Sequence, residues 1–179
     1  MNQATSTEKS ASHDVIQTLR TAHQNQTQLN LMADQKANIL IGTLVLVFTV
    51  VMTRILTLSG SITTDMLPLV VFMVLELIPL VLTVMVLIPK NITGRVVKDI
   101  DEVSNPLFFG MFTQFSEAQY QAYLTQILTD NEAARRLLIK DIYQVGQVLR
   151  RKYGLLRMAY LFAMFGVMVP VVMAVVQSI

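Results

Sequence analysis

Arg135, Arg136 and Lys140 put three cations within two helical turns. A guanidinium binds phosphate oxygens bidentately, so this cluster is a candidate phosphate site, with a solvated helix face as the alternative. Asn30, Asp34 and Asn38 recur every four residues. On a helix that spacing lines one face, offering a polar lining for a ligand or partner helix, or simply a solvated helix end. Two charges stand apart from these groups, Arg54 and Glu76, each inside a long apolar run. Arg54 is near one end of its run and can snorkel to lipid headgroups. Glu76 lies about ten residues into its run, too deep to snorkel easily, and an ionised carboxylate there costs a few kcal/mol unless it is compensated. It is therefore expected to be neutral, to pair with Arg54, or to face the interior of an oligomer.

The remaining chemistry is sparse. With no cysteine, the chain has no disulfide, thiolate metal site or cysteine nucleophile. Only His13 and His23 supply imidazoles, and no paired-histidine spacing, glycine-rich phosphate loop, GxSxG or HExxH motif occurs. No enzyme, cofactor or metal is expected. A formal net charge of +2 gives no reason to expect a nucleic acid polymer as partner.

The elements that must position these residues follow from hydropathy. Of 179 residues, 53% are hydrophobic and 15% charged, a membrane-protein balance. Residues 37–58 and 66–89 form a pair of apolar runs, and residues 158–179 form a third with no charge. Each suffices for a hydrocarbon core that takes about 20 residues, and helices satisfy their own backbone there. The expected fold is an all-α membrane protein: a tail over residues 1–13, a helix over 14–36 leading into a helical hairpin, a small, mostly helical region over 90–157, and a last span. A cleaved signal peptide is disfavoured, because its apolar core would begin only after 36 mostly polar residues.

Lys9, Arg20 and Lys36 precede the first run, ten Lys and Arg residues fall between Pro89 and Arg157, and none lies in the hairpin turn. The positive-inside rule then makes the amino terminus and the middle region cytoplasmic, with the hairpin turn and carboxyl terminus outside. Arg150, Arg151, Lys152 and Arg157 are assigned to anionic lipid headgroups. Within the middle region Asn105-Pro106 marks a turn before Phe108, Phe109, Phe112 and Phe115, taken as core packing. Ser116-Glu117-Ala118-Gln119 fits a capping box opening one helix, and a second, from Glu132 to Gln177, continues into the last span. Pro79 and Pro170 are expected to weaken or kink their helices. Residues 91–103 suit either a short strand or an irregular connection.

Three segments carry a likeness to a known family. They are Asn30-xxx-Asp34-x-Lys36-Ala37, Asn105-Pro106-Leu107-Phe108-Phe109-Gly110, and Asp141-Ile142-Tyr143-Gln144-Val145-Gly146 continuing through Val148-Leu149 to Lys152-Tyr153 and Leu155-Leu156-Arg157. From about His13 onward the chain resembles the Pycsar effector transmembrane proteins. The resemblance implies a bacterial antiphage effector of the inner membrane. In that system a partner cyclase makes cyclic CMP or cyclic UMP after infection, and the effector impairs the membrane and stops growth before phage is released. It identifies no nucleotide-binding residue; Arg135, Arg136, Lys140, Asn30 and Asp34 remain candidates on physical grounds. The expected mechanism sets those cations on the phosphate and a Tyr or Phe ring against the pyrimidine, followed by assembly of several copies. The rival reading is a constitutive membrane anchor or scaffold without a small-molecule ligand, and a channel subunit gated by voltage or lipid is a third.

Overall fold

A computed structural model describes residues 2–57, 66–88, 100, 103 and 105–178, with side chains from Asp14 onward except that of Phe109. Its described elements are helices: α1 (Asn2–Thr57), α2 (Leu67–Leu87), α3 (Phe109–Phe112), α4 (Glu117–Thr129) and α5 (Asn131–Gln177). The all-α expectation holds. Three of these helices, α1, α2 and α5, are long and apolar enough to cross a membrane.

Helix α1 begins before Asp14, where the sequence reading placed a tail through residue 13 and a helix start. Neither Pro nor Gly occurs among the first twelve residues, so nothing there terminates a helix that later turns nucleate. The hairpin turn, the end of the second run at residue 89 and the connection over residues 91–99 lie outside the described residues. The capping box is present: the Ser116 hydroxyl accepts from the Gln119 amide at 3.4 Å, and the Gln119 side-chain oxygen accepts from the Ser116 amide at 3.1 Å. After α4 the Asp130 carboxylate accepts from the Glu132 amide at 2.9 Å, capping α5.

The chain divides into two compact units. Unit 1 takes Met1–Leu29 and Lys90–Leu149, and unit 2 takes Asn30–Pro89 and Arg150–Ile179. In unit 1, Val103 and Leu137 are buried together with the polar residues Asn105 and Asp141. The aromatic segment contributes a stacked pair, Phe112 on Tyr120, with ring centroids 4.9 Å apart. Here Phe108, Phe112 and Phe115 are only half-buried, so they edge the core.

In unit 2 the three spans meet through small and branched residues. Ala37, Val86 and Leu156 form one buried cluster, and Leu40, Leu44 and Ala159 form another, flanked by Phe48, Leu80, Leu82 and Ala163. Lipid tails are as apolar as leucine, so such spans associate through close packing, which the fully buried Ala33, Ala37 and Ala159 permit. Within this unit α1 and α5 run parallel and α2 opposes them, since residues 37 and 156 meet 86 while α2's earlier residues meet later ones of α1 and α5. Ile39, Leu46, Val50, Val81, Phe165 and Met168 face outward, as lipid-facing side chains must.

Candidate functional site

In unit 1 a buried polar knot joins three segments. Asp141 of α5 is 6% exposed and Asn105 fully buried. The Asn105 side-chain amide donates to Asp141 Oδ1 at 2.7 Å, and His23 Nε2 of α1 donates to Oδ2 at 2.9 Å. Asn105 Oδ1 accepts from the Leu107 amide at 3.0 Å, and the Phe108 amide donates to the Asn105 carbonyl at 3.2 Å. Asn105 thus closes its own turn with one side-chain atom and ties that turn to α5 with the other. The Asp141 carboxylate clamps α1 and the Asn105 turn to α5, one oxygen on each. One turn along α1, Gln26 lies against Gly146, where an added Cβ would sit 3.4 Å from the Gln26 side-chain nitrogen.

In unit 2, Lys152 Nζ of α5 donates to both carboxylate oxygens of Asp34, at 2.7 and 2.9 Å. The pair is partly buried, and Lys36 lies 5.7 Å over the ring of Tyr153. This corrects the assignment of Lys152 to lipid headgroups: its charge is taken up within the protein. Asp34 correspondingly faces α5. Asn30 is half-buried, with its side-chain oxygen lacking a hydrogen-bond partner among the described residues, and Asn38 is exposed. The stripe of three therefore does not present one solvated face.

The basic cluster is split. Arg135 donates to Glu132 at 2.7 Å one turn earlier on α5, whereas Arg136 and Lys140 are exposed. Tyr143 follows on the same side of α5 and is 66% exposed. Of the two intramembrane charges, Arg54 is exposed and Glu76 is 1% exposed, with neither carboxyl oxygen partnered among the described residues. The expected alternative of an Arg54 bridge is not formed: Arg54 turns outward while α2 directs Glu76 toward α5, against Gly166.

Residues 17–178 match the Pycsar effector protein domain, PycTM. The chain belongs to the Pycsar effector family. Neither the curated proteins nor the solved structures contain a match. Membership makes this protein a membrane effector of antiphage defence, from a family that is not an enzyme family as such. In this Pycsar effector the segments that carried the likeness engage one another, Asn105 with Asp141 and Asp34 with Lys152. His23 and Gly166 were not singled out by sequence reasoning. A lone histidine among polar helix residues carries no signal of its partner, and a glycine in an apolar run reads as one more small residue.

Proposed function

We propose that this Pycsar effector is activated by a cyclic pyrimidine nucleotide, cyclic CMP or cyclic UMP, bound on unit 1. It responds by impairing the inner membrane, so that growth stops before phage is released. The observation that carries this reading is the outward face of α5, where Arg136 and Lys140 stand one turn apart with the exposed ring of Tyr143 one turn further. Two cations suit the single negative charge of a cyclic phosphodiester, and a tyrosine face suits a pyrimidine. Arg135, held by Glu132, flanks them.

Both α1 and α5 are continuous helices that contribute to each unit. Ligand on unit 1 therefore has a direct helical route to the spans, and it shifts their arrangement only by binding the active state more tightly. Unit 2 packs its spans through alanine and leucine, so a leak takes several copies assembled in the bilayer. The distribution of Lys and Arg supports a cytoplasmic unit 1 and amino terminus, with the carboxyl terminus outside.

The test is thermal unfolding of the full-length protein in detergent with cyclic CMP, cyclic UMP or cyclic AMP. At a hundredfold excess over Kd a true ligand adds about 2.7 kcal/mol. A rise in Tm with one cyclic pyrimidine, lost in Arg136→Ala/Lys140→Ala while helicity is kept, supports the site. No response to either pyrimidine overturns the reading, and an unchanged response in the variant removes these two residues from it.

A further inference from the structure

Glu76 lies within α2, on a buried face that it shares with Pro68, Pro79, Thr83 and Val86. The Thr83 hydroxyl is occupied locally, donating to the Pro79 carbonyl at 2.6 Å. Neither Glu76 oxygen has a hydrogen-bond partner among the described residues, although the residue is almost wholly buried. What it faces is Gly166 of α5. A Cβ added there would fall 2.6 Å from Glu76 Oε1, closer than real Cβ atoms come, and 3.0 Å from its Cδ. The other two glycines of unit 2's described residues behave differently, because a Cβ at Gly42 or Gly154 would meet nothing within 4 Å. Gly166 is the seat of the carboxyl group.

We propose that Glu76 seated on Gly166 is the closed latch of the span bundle, and that in the open state its carboxylate lines the leak as a site for inorganic monovalent cations. Opposed tendencies make such a latch two-state. Packing of Leu40, Leu44 and Ala159 favours the closed arrangement, whereas two unpartnered acceptor oxygens favour any arrangement that lets water or a cation reach them. Once turned toward water, a ring of carboxylates from several copies attracts potassium or sodium and repels chloride. The cation selectivity rests on the reading that this effector opens a leak, while the steric seat does not.

The experiment uses full-length protein in liposomes, with potassium and chloride fluxes measured separately and helicity and insertion checked for each variant. Gly166→Ala displaces the carboxyl group. The atoms met belong to a side chain, so the latch gives way rather than the helix. The expected result is a leak without nucleotide at least tenfold above wild type, with potassium favoured over chloride. Adding Glu76→Ala restores room for the Cβ and returns the leak to the wild-type resting level. Adding Glu76→Gln instead keeps the bulk but not the charge, so the leak remains and loses its cation preference.

A tight Gly166→Ala protein, a leak untouched by Glu76→Ala, or equal potassium and chloride fluxes in Gly166→Ala would each overturn the proposal. Gly166→Ala leaking as described beside a wild type that ignores cyclic pyrimidines supports the latch and overturns the nucleotide reading. A nucleotide-driven wild-type leak whose ion preference survives Glu76→Gln overturns the proposal, whose open state has that carboxylate lining the leak, and leaves the nucleotide reading intact. This last comparison leaves Gly166 in place, so it decides the matter even where Gly166→Ala does not fold.

Discussion

Replacing Asp141 should loosen unit 1 and leave the spans unaffected. Its carboxylate accepts from the fully buried Asn105 amide at 2.7 Å and from His23, whose side chain is 41% exposed, at 2.9 Å. In Asp141→Ala the His23 N–H can turn to water, but the Asn105 amide is left without its acceptor. Loss of one charge-assisted bond together with an orphaned buried donor comes to about 2–4 kcal/mol. Asp141→Asn keeps one oxygen for Asn105 and loses mainly the charge assistance, about 1–1.5 kcal/mol. Hydrogen exchange of the full-length protein in detergent reads this locally, because opening of unit 1 exposes the Leu107 and Phe108 amides that the Asn105 turn protects. With 1.4 kcal/mol per tenfold, exchange there should speed up about 30- to 700-fold in Asp141→Ala. In Asp141→Asn it should speed up about tenfold or less, with residues 37–48 unchanged in both. Combining Asp141→Ala with Asn105→Ala should give a coupling energy of about 1–3 kcal/mol. Equal effects of the two single substitutions, or additivity in the double variant, would refute the clamp.

Lys152→Ala, which strands the partly buried Asp34, should cost about 1.5–3 kcal/mol in unfolding experiments, and exchanging the two residues (Asp34→Lys/Lys152→Asp) should recover much of the loss. Gly154→Ala, with open space for its Cβ within α5, should stabilise the protein by up to about 1 kcal/mol and raise Tm, the opposite of a steric seat. Removing the α4 cap by Ser116→Ala should cost about 1 kcal/mol and speed amide exchange in the first turn of that helix. Tyr143→Ala should weaken cyclic pyrimidine binding about tenfold in a titration, the loss expected for one base stacked on an aromatic ring, while leaving Tm without ligand nearly unchanged.

The parts of the fold set by local chemistry were legible in the sequence. Long apolar runs marked the spans, Ser116 and Gln119 marked the start of α4, and the Thr129 to Asn131 break separated it from α5 within one residue of the observed boundary. The start of α1 was not legible, because polar residues without a breaker suit a tail or a helix equally. Pairings across helices were less visible still. Asp34 and Lys152 are 118 positions apart, and only the register of α1 on α5 brings them together. The clustering of basic residues beside the last apolar run pointed Lys152 to lipid headgroups, because it could not reveal an acid on the facing helix. Glu76 was conspicuous as a charge in an apolar run; that its counterpart would be a glycine rather than Arg54 depended on which way α2 is turned, which its nearly uniform hydrophobicity conceals.

The central claim is that a cyclic pyrimidine nucleotide turns this Pycsar effector into a membrane lesion. The direct measurement is release of a trapped dye from liposomes carrying the purified full-length protein, with cyclic CMP, cyclic UMP and cyclic AMP added in separate experiments. Release with a cyclic pyrimidine and not with cyclic AMP is the expected result, and it names the ligand. Folded, inserted protein that releases dye with none of the three, or equally without any addition, would contradict the account.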